Sequence, residues 1–365
     1  MHQLLGFCFL VVLISSPNGY GQSTNKEVEA NLAKGDKAYE SKDFKSAITY
    51  YTKAIELDPK CVVAFSGRGD CYGELKKSTE SINDYNKAIE LDPKYSKAYN
   101  GRGNSCCDLK KYAEAIADYT KAIELDPKYV KAYSNRGITY GDLKKYPEAI
   151  ADHTKAIKLD PKSADSYYNR GITYSDLNKY PEAIADYTKA IELDTKSADV
   201  YSNRGDAYAN LKKYSEAIAD YTKVIELEPK FAPGYYSRGF TFVSLKKYAE
   251  AIADYTKAIE LDPKFMNAYY DRGFTYGELK KYPEALADYT KAIEIDSKNV
   301  NAYNDRGFTY FNLKKYPEAI ADFTKAIELE PKSANSYYGR GDTYKALGKT
   351  KEAEADFAKA KELDK

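Results

Sequence analysis

The sequence predicts an all-α protein, a solenoid of ten stacked helix pairs, and three observations predict it. Glycines recur at 35, 69, 103, 137, 171, 205, 239, 273, 307 and 341, a period of 34 residues with no insertion. Within each period two segments place apolar residues at intervals of three and four, the pattern of helices with one buried face. Prolines punctuate the second segment, at its start in Pro147, Pro181, Pro283 and Pro317 and after its end in Pro59, Pro93, Pro127, Pro161, Pro229, Pro263 and Pro331. A proline at the first helical position loses no hydrogen bond, and one beyond the last position forces the turn. A fixed period of this length overrides the prior that 365 residues make two globular domains.

At the amino terminus, Leu4 to Ile14 form an apolar run followed by Ser15, Ser16, Pro17 and the small-residue pattern Gly19-Tyr20-Gly21. This reads as a secretory signal peptide over 1–21, with cleavage after Gly21 and a short leader over 22–27. As a helix the run reaches only about 16 Å, roughly half the hydrocarbon thickness, so a membrane span is excluded on length. The expected localisation is secreted or periplasmic. Cys8 would leave with the signal, and Cys61, Cys71, Cys106 and Cys107 remain as buried thiols, with a bridge between Cys71 and Cys106 conceivable in an exported chain.

The repeats follow over 28–61, 62–95, 96–129, 130–163, 164–197, 198–231, 232–265, 266–299, 300–333 and 334–365. The first helix carries Tyr-x-x-Arg-Gly-x-x-Tyr, as in Tyr167, Arg170, Gly171 and Tyr174, and closes at Leu-Lys-Lys-Tyr. The second carries Glu-Ala-Ile-Ala-Asp-Tyr-Thr-Lys-Ala-Ile-Glu-Leu. A glycine in a helix costs about 1 kcal/mol relative to alanine, so its regular use implies close helix approach. Alanines at 54, 88, 122, 156, 190, 258, 292, 326 and 360 serve the same end. Most of the 38 tyrosines occupy four fixed places per repeat, which explains the composition without a ligand. Arg68, Arg102 and their counterparts to Arg340 are constant, as are Asp84, Asp118 and theirs to Asp356, while the first repeat has Lys34 and Tyr50 instead; an Arg–Asp ladder is expected. Glu354 and Lys361 replace the isoleucines of other repeats and give the last helix a polar outer face, so the array is expected to end there.

These residues resemble the tetratricopeptide repeat over 28–365. The family pattern stands in the third repeat as Tyr99, Gly103, Ala115, Tyr119, Ala122 and Pro127, with Cys106 in place of the second tyrosine. Departures are Asn31 and His153 at aromatic positions, and Thr195 and Ser297 at proline positions. The resemblance implies a right-handed superhelical solenoid of helix-turn-helix units whose concave wall, lined by first helices, binds peptides or protein segments.

Near-identical repeats also separate framework from freedom. Numbered from the first residue of each repeat, positions 4, 7, 8, 11 and 14 hold steady, while 2, 5, 6, 9, 12 and 13 vary and form one stripe on a helix turning about 100° per residue. In the family that stripe faces the groove; the plain alternative is a solvated, drifting face. Position 13 begins with Glu40, Glu74, Asp108, Asp142 and Asp176, an acidic row suited to a basic partner but too widely spaced for one calcium ion. Position 9 carries Phe240, Phe274 and Phe308 in the seventh to ninth repeats, joined on that face by Tyr236 and Tyr270 at position 5. An apolar ladder left in water marks a docking surface, and the alternative is that these rings are core. Asn104, Asn135, Lys97 and Lys131 are reminiscent of the family's clamp for a carboxyl terminus. The clamp is incomplete, with Asn100 in place of a lysine and Asp165 and Asn169 in place of the final basic pair. Asn169 and Asn203 extend the asparagine row of position 6.

Composition excludes other classes. With 56 Lys plus Arg against 55 Asp plus Glu the chain lacks the basic excess of a nucleic-acid binder. One histidine, His153, remains behind the signal and sits at a core position, so no histidine relay or metal set can be assembled. No glycine loop for phosphates is present, and no cofactor is implied. The expected function is a non-catalytic scaffold binding an extended peptide or protein segment outside the cytoplasm. A structural or self-associating role, or a regulatory subunit of an envelope enzyme complex, stays open.

Overall fold

The computed structural model describes the backbone of residues 19–364 and side chains from Asn25 to Asp364. Leu4 to Ile14 and Cys8 lie outside the described residues. The described chain is helical throughout and divides into two compact bodies, one up to Thr173 and one from Tyr174 onward. The first body contains α1 (Gly19–Glu40), α2 (Phe44–Leu57), α3 (Val62–Glu74), α4 (Ser78–Leu91), α5 (Ser96–Asp108), α6 (Tyr112–Leu125), α7 (Val130–Asp142) and α8 (Tyr146–Leu159). Helix α9 (Ala164–Asp176) runs through the division. The second body contains α10 (Tyr180–Leu193), α11 (Ala198–Asn210), α12 (Tyr214–Leu227), α13 (Ala232–Ser244), α14 (Tyr248–Leu261), α15 (Met266–Glu278), α16 (Tyr282–Ile295), α17 (Val300–Asn312), α18 (Tyr316–Leu329), α19 (Ala334–Ala346) and α20 (Thr350–Leu363). Odd-numbered helices are the first of each repeat and even-numbered ones the second. Helix α1 takes in the predicted leader, and the predicted cleavage point falls in its first turn. Among the described residues no helix is long and apolar enough to cross a membrane.

Within each body every helix packs on its chain neighbours, and the small residues show why. Ala54, Ala88, Ala122, Ala258, Ala292 and Ala326 have no exposed surface. In most repeats the ring at position 24 of the second helix is buried against the glycine at position 8 of its own repeat. A Cβ on Gly35 would stand 2.7 Å from Tyr51 and one on Gly205 2.8 Å from Tyr221. Where position 6 of the next repeat is also glycine, the same ring is pinned from both sides: a Cβ on Gly67 would stand 2.6 Å from Tyr51. Burying each such ring contributes about 2 kcal/mol.

The Arg–Asp ladder is present and reaches further than the sequence suggested. Arg238 donates through Nε and Nη2 to both carboxylate oxygens of Asp254, at 2.8 Å each, and through Nη1 to Thr222 of the preceding repeat at 3.1 Å. Arg68, Arg136, Arg204, Arg272, Arg306 and Arg340 repeat the three-way bond. Arg102 uses Asn86 in place of the threonine. Each guanidinium ties a first helix to the second helix on either side of it, and in the first repeat Lys34 lies over the Tyr50 ring at 5.9 Å instead. At the far end Glu354 and Lys361 are exposed, as a polar outer face requires.

The Leu-Lys-Lys turns hide a constraint. The first lysine of the pair adopts a left-handed backbone, with φ between 56° and 59° at Lys76, Lys110, Lys144, Lys212, Lys246, Lys280 and Lys314; Lys42 of the first repeat's Ser-Lys-Asp turn does the same at 62°, and only Asn178 and Gly348 bring residues suited to it. A side chain there costs about 1 kcal/mol. Lys246→Gly is therefore expected to raise stability by roughly 0.5–1 kcal/mol, read as an upward shift of the denaturation midpoint; an unchanged midpoint would contradict it.

His153 takes the place of the buried ring in the fourth repeat, 1% exposed, with Nδ1 lacking a hydrogen-bond partner. Burial, reinforced by the charge of Arg170, pushes its pKa down to about 4. The folded chain holds it neutral, whereas the unfolded chain protonates it near 6.5. Its contribution is thus complete above pH 6.5 and declines as pH falls toward about 4. Between pH 6.5 and 5 the wild type should lose about 2 kcal/mol more than His153→Phe, a difference in which other titrating groups cancel. Parallel pH profiles of the two would disprove it.

Candidate functional site

The first helices of each body present the varying stripe, and in both bodies it borders a hollow. In the first body a cavity of about 1000 Å³ opens over α1, α3, α5 and α7. Most of its lining comes from positions 2, 5, 6, 9, 12 and 13, with Asp36, Asp70 and Asn104 at position 9 and Gly67, Gly101 and Asn135 at position 6, and the framework rings Tyr51 and Tyr85 of the second helices form part of the rest. Small residues at positions 5 and 6 make the room.

Asn104 and Asn135, predicted from the partial clamp, meet there. Asn135 Nδ2 donates to Asn104 Oδ1 at 2.9 Å and to Asn100 Oδ1 at 3.1 Å, and the Tyr119 hydroxyl donates to the same Asn104 oxygen at 2.8 Å. Lys97 and Lys131 line the same space beside Asp70. Asp70 accepts from the Tyr85 hydroxyl at 2.5 Å. Asp70 is reachable by solvent yet enclosed on most sides, so desolvation raises its pKa while Tyr85, Lys131 and Lys97 hold it down. Of the acidic row, Glu40, Glu74 and Asp108 border the cavity, and Asp108 pairs with Lys76 at 3.6 Å in an exposed contact worth little. Asp142 and Asp176 stand exposed outside it, and Asn169 and Asn203 are half-buried on α9 and α11. The acidic row therefore does not act as one wall of the cavity.

In the second body a hollow of about 480 Å³ lies between α11, α12 and α13. Asp206 accepts from the Tyr221 hydroxyl at 2.6 Å, and Tyr236 and Phe240 stand opposite with ring centres 6.4 Å apart. Desolvation raises the Asp206 pKa and the Tyr221 bond counters it. Phe240 and Phe274 are 54% and 42% exposed, so these two rings are surface and not core. Phe308 departs from the expected ladder. It is half-buried with its centre 4.9 Å from Phe323, edge to face. Repeat nine has Phe323 where the two before it have Tyr255 and Tyr289, so an apolar ring edge replaces a hydroxyl and Phe308 folds down onto it.

Tyr236 and Tyr270 have a second role that the sequence reading missed. Their hydroxyls donate to Asp271 at 2.7 Å and Asp305 at 2.6 Å, each at position 6 of the following repeat. Burial raises the pKa of both carboxylates, and the tyrosine bonds oppose that. Aspartate appears at position 6 only in those two repeats, directly after repeats with tyrosine at position 5, and this pairing was the available signal.

Hydroxyl partners at position 24 follow the same logic. Tyr51, Tyr85, Tyr119 and Tyr221 each bond the polar residue at position 9 of their own repeat. Repeat seven has Phe240 there, and the Tyr255 hydroxyl is buried with no partner. Tyr255→Phe is expected to be neutral or to stabilise by up to about 1 kcal/mol, whereas Tyr221→Phe should cost about 1 kcal/mol. Equal losses in the two melts would contradict this.

Cys61, Cys71, Cys106 and Cys107 are free thiols, and Cys71 and Cys106 belong to separate core clusters. Burial pushes Cys71 up to about 12 and Cys106 to about 11, which leaves both protonated and unreactive at neutral pH. Among the described residues no group of three or more His, Cys, Asp or Glu side chains is placed to hold a metal ion.

Comparisons with known proteins agree with this architecture. Family profiles described as tetratricopeptide repeat match residues 28–61, 62–95, 84–117, 130–163, 154–185, 198–231, 300–333 and 323–355. A profile described as TPR repeat matches 103–144, 173–212, 241–280 and 277–314. No curated protein matches in sequence. Among solved structures, the C-terminal part of a TPR repeat-containing protein from Cytophaga hutchinsonii is similar at a TM-score of 0.56 and 22% identity, over 64% of this chain and 96% of that one. A tetratricopeptide repeat protein from Parabacteroides merdae is similar at 0.50 and 21%, over 68% and 99%. The pilF protein of Pseudomonas aeruginosa is similar at 0.51 and 17%, over 57% and 94%. Those likenesses establish the all-α helix-turn-helix solenoid, and with the profiles tiling nearly all of the repeat region, the chain belongs to the tetratricopeptide repeat family.

Proposed function

We propose that the chain is a non-catalytic interaction scaffold that holds an extended peptide or protein segment along the wall of its first helices. One observation carries this reading: the positions that vary among otherwise near-identical repeats supply most of the residues that border the hollows. Framework positions repeat because packing demands them, and residues freed from packing diverge where a ligand is met. Peptide-library selection tests it. Peptides selected on the wild type should bind Phe240→Asp, Phe274→Asp at least tenfold more weakly, with unchanged helicity; an identical set of binders with identical affinities would remove the second body from the proposed groove, and an empty selection would remove the reading.

The exposed Phe240 and Phe274 also favour a second reading, self-association through that face. Sedimentation across a wide concentration range separates the two, because a dimer abolished by Phe240→Asp would support the second. Export is proposed from Leu4 to Ile14 and the small residues after it. A chain recovered outside the cytoplasm and beginning at Gln22 would support it, and one beginning at Met1 would overturn it.

A further inference from the structure

The hollow of the second body differs from that of the first in its charge. Asp206 is the only ionised side chain in its lining, which otherwise consists of Tyr214, Tyr221, Tyr236, Phe240 and small or neutral polar groups. The corresponding carboxylate of the first body, Asp70, already has Lys97 and Lys131 in the same lining, and Asn100 where the second body has Tyr236. A carboxylate that shares an open hollow with aromatic rings and has no base in that lining is incomplete electrostatically, since the ring faces carry negative quadrupole density and add to its field.

We propose that this hollow takes a lysine side chain of the bound segment, its methylenes lying along Phe240 and Tyr236 and its ammonium resting on the Asp206 carboxylate. The inference rests on the scaffold reading for where the lysine comes from. Lysine is favoured over arginine by the geometry of the acceptor. Tyr221 already donates to Oδ1 of Asp206, which leaves Oδ2 as the open oxygen. A guanidinium gains its advantage from a two-pronged bond to both oxygens, while an ammonium is a point charge served by one. The exposed Phe240 ring supplies the apolar shelf that a four-carbon stem needs.

The test uses the full chain and blocked single amino acids, so that it does not depend on any longer peptide binding. Nα-acetyl-lysine methylamide, the norleucine and arginine counterparts, and choline are titrated and followed by NMR shifts of the Tyr236 and Phe240 rings. Saturable lysine binding, about tenfold tighter than norleucine and weakened by salt, is expected. Asp206→Asn, which keeps the shape and an acceptor for Tyr221, should erase the preference for lysine over norleucine. Phe240→Ala, a change at an exposed side chain, should weaken lysine binding severalfold and serves as the readout if the Asp206 variant is unstable. Absence of saturable lysine binding, equal binding of norleucine, or an unaltered preference in Asp206→Asn would overturn the proposal. Tighter binding of arginine or choline would overturn it as well, by assigning the hollow to a fork-shaped or quaternary cation. Failure of peptide selection with intact lysine selectivity would count against the scaffold alone.

Discussion

Gly101→Val is expected to destabilise the first body by about 3 kcal/mol. A Cβ at Gly101 would overlap the ring and hydroxyl of Tyr85. That ring has no freedom to retreat: it is 2% exposed, its hydroxyl is bonded to Asp70, and its other edge lies against Gly69, where an added Cβ would meet it at 3.1 Å. The substitution must therefore either push α5 away from α4 or expel the ring, and both lose buried surface. Gly141→Ala is the control. Nothing lies within 4 Å of a Cβ there, and alanine favours the helix, so stability should rise by up to about 1 kcal/mol. Urea denaturation of both variants reads the contrast, and a Gly101→Val chain as stable as the wild type would refute the packing account.

Arg238→Ala is the second large effect, a loss of about 3 kcal/mol. The substitution removes two charge-assisted bonds to Asp254 and one to Thr222, and leaves a carboxylate that is 6% exposed without its cation. The position of the guanidinium in the stack matters as much as its energy, because α12, α13 and α14 meet at it. Replacing both partners, Arg238→Met with Asp254→Leu, should recover part of the loss, since the cost comes chiefly from the stranded charge. A double variant as unstable as the sum of the single ones would show that the pair acts through packing alone. The same bonds in the sister repeats make Arg272→Ala a replicate with the same expected sign.

Much of the framework was legible because repetition supplies its own alignment. Glycine at position 8, alanine at position 27 and the Arg–Asp pairing could be read as packing devices from their constancy, and each serves that purpose. The site was legible only in outline. The stripe of varying positions is the one that borders the hollows, and Asn104 with Asn135 do come together, yet Phe308 turned inward and Asp142 and Asp176 stayed outside the first cavity. Tyr236 and Tyr270 were read as apolar surface, and their hydroxyls instead bridge to Asp271 and Asp305. The left-handed lysines of the turns were invisible because lysine is a poor marker of that backbone, and only Gly348 and Asn178 advertise it.

The sequence alone determined the helix pairs, their boundaries at proline and the face that each first helix frees from packing, since these depend on periodicities along a single chain. Tertiary structure decided which of the freed residues share a space and what charge that space holds. Asp70 and Asp206 occupy the same place in their repeats and have the same tyrosine bond, but lysines from later repeats reach one and aromatic rings share the hollow of the other. A side chain's electrostatic surroundings are set in large part by neighbours from other repeats, and no period read along the sequence encodes which of them arrive.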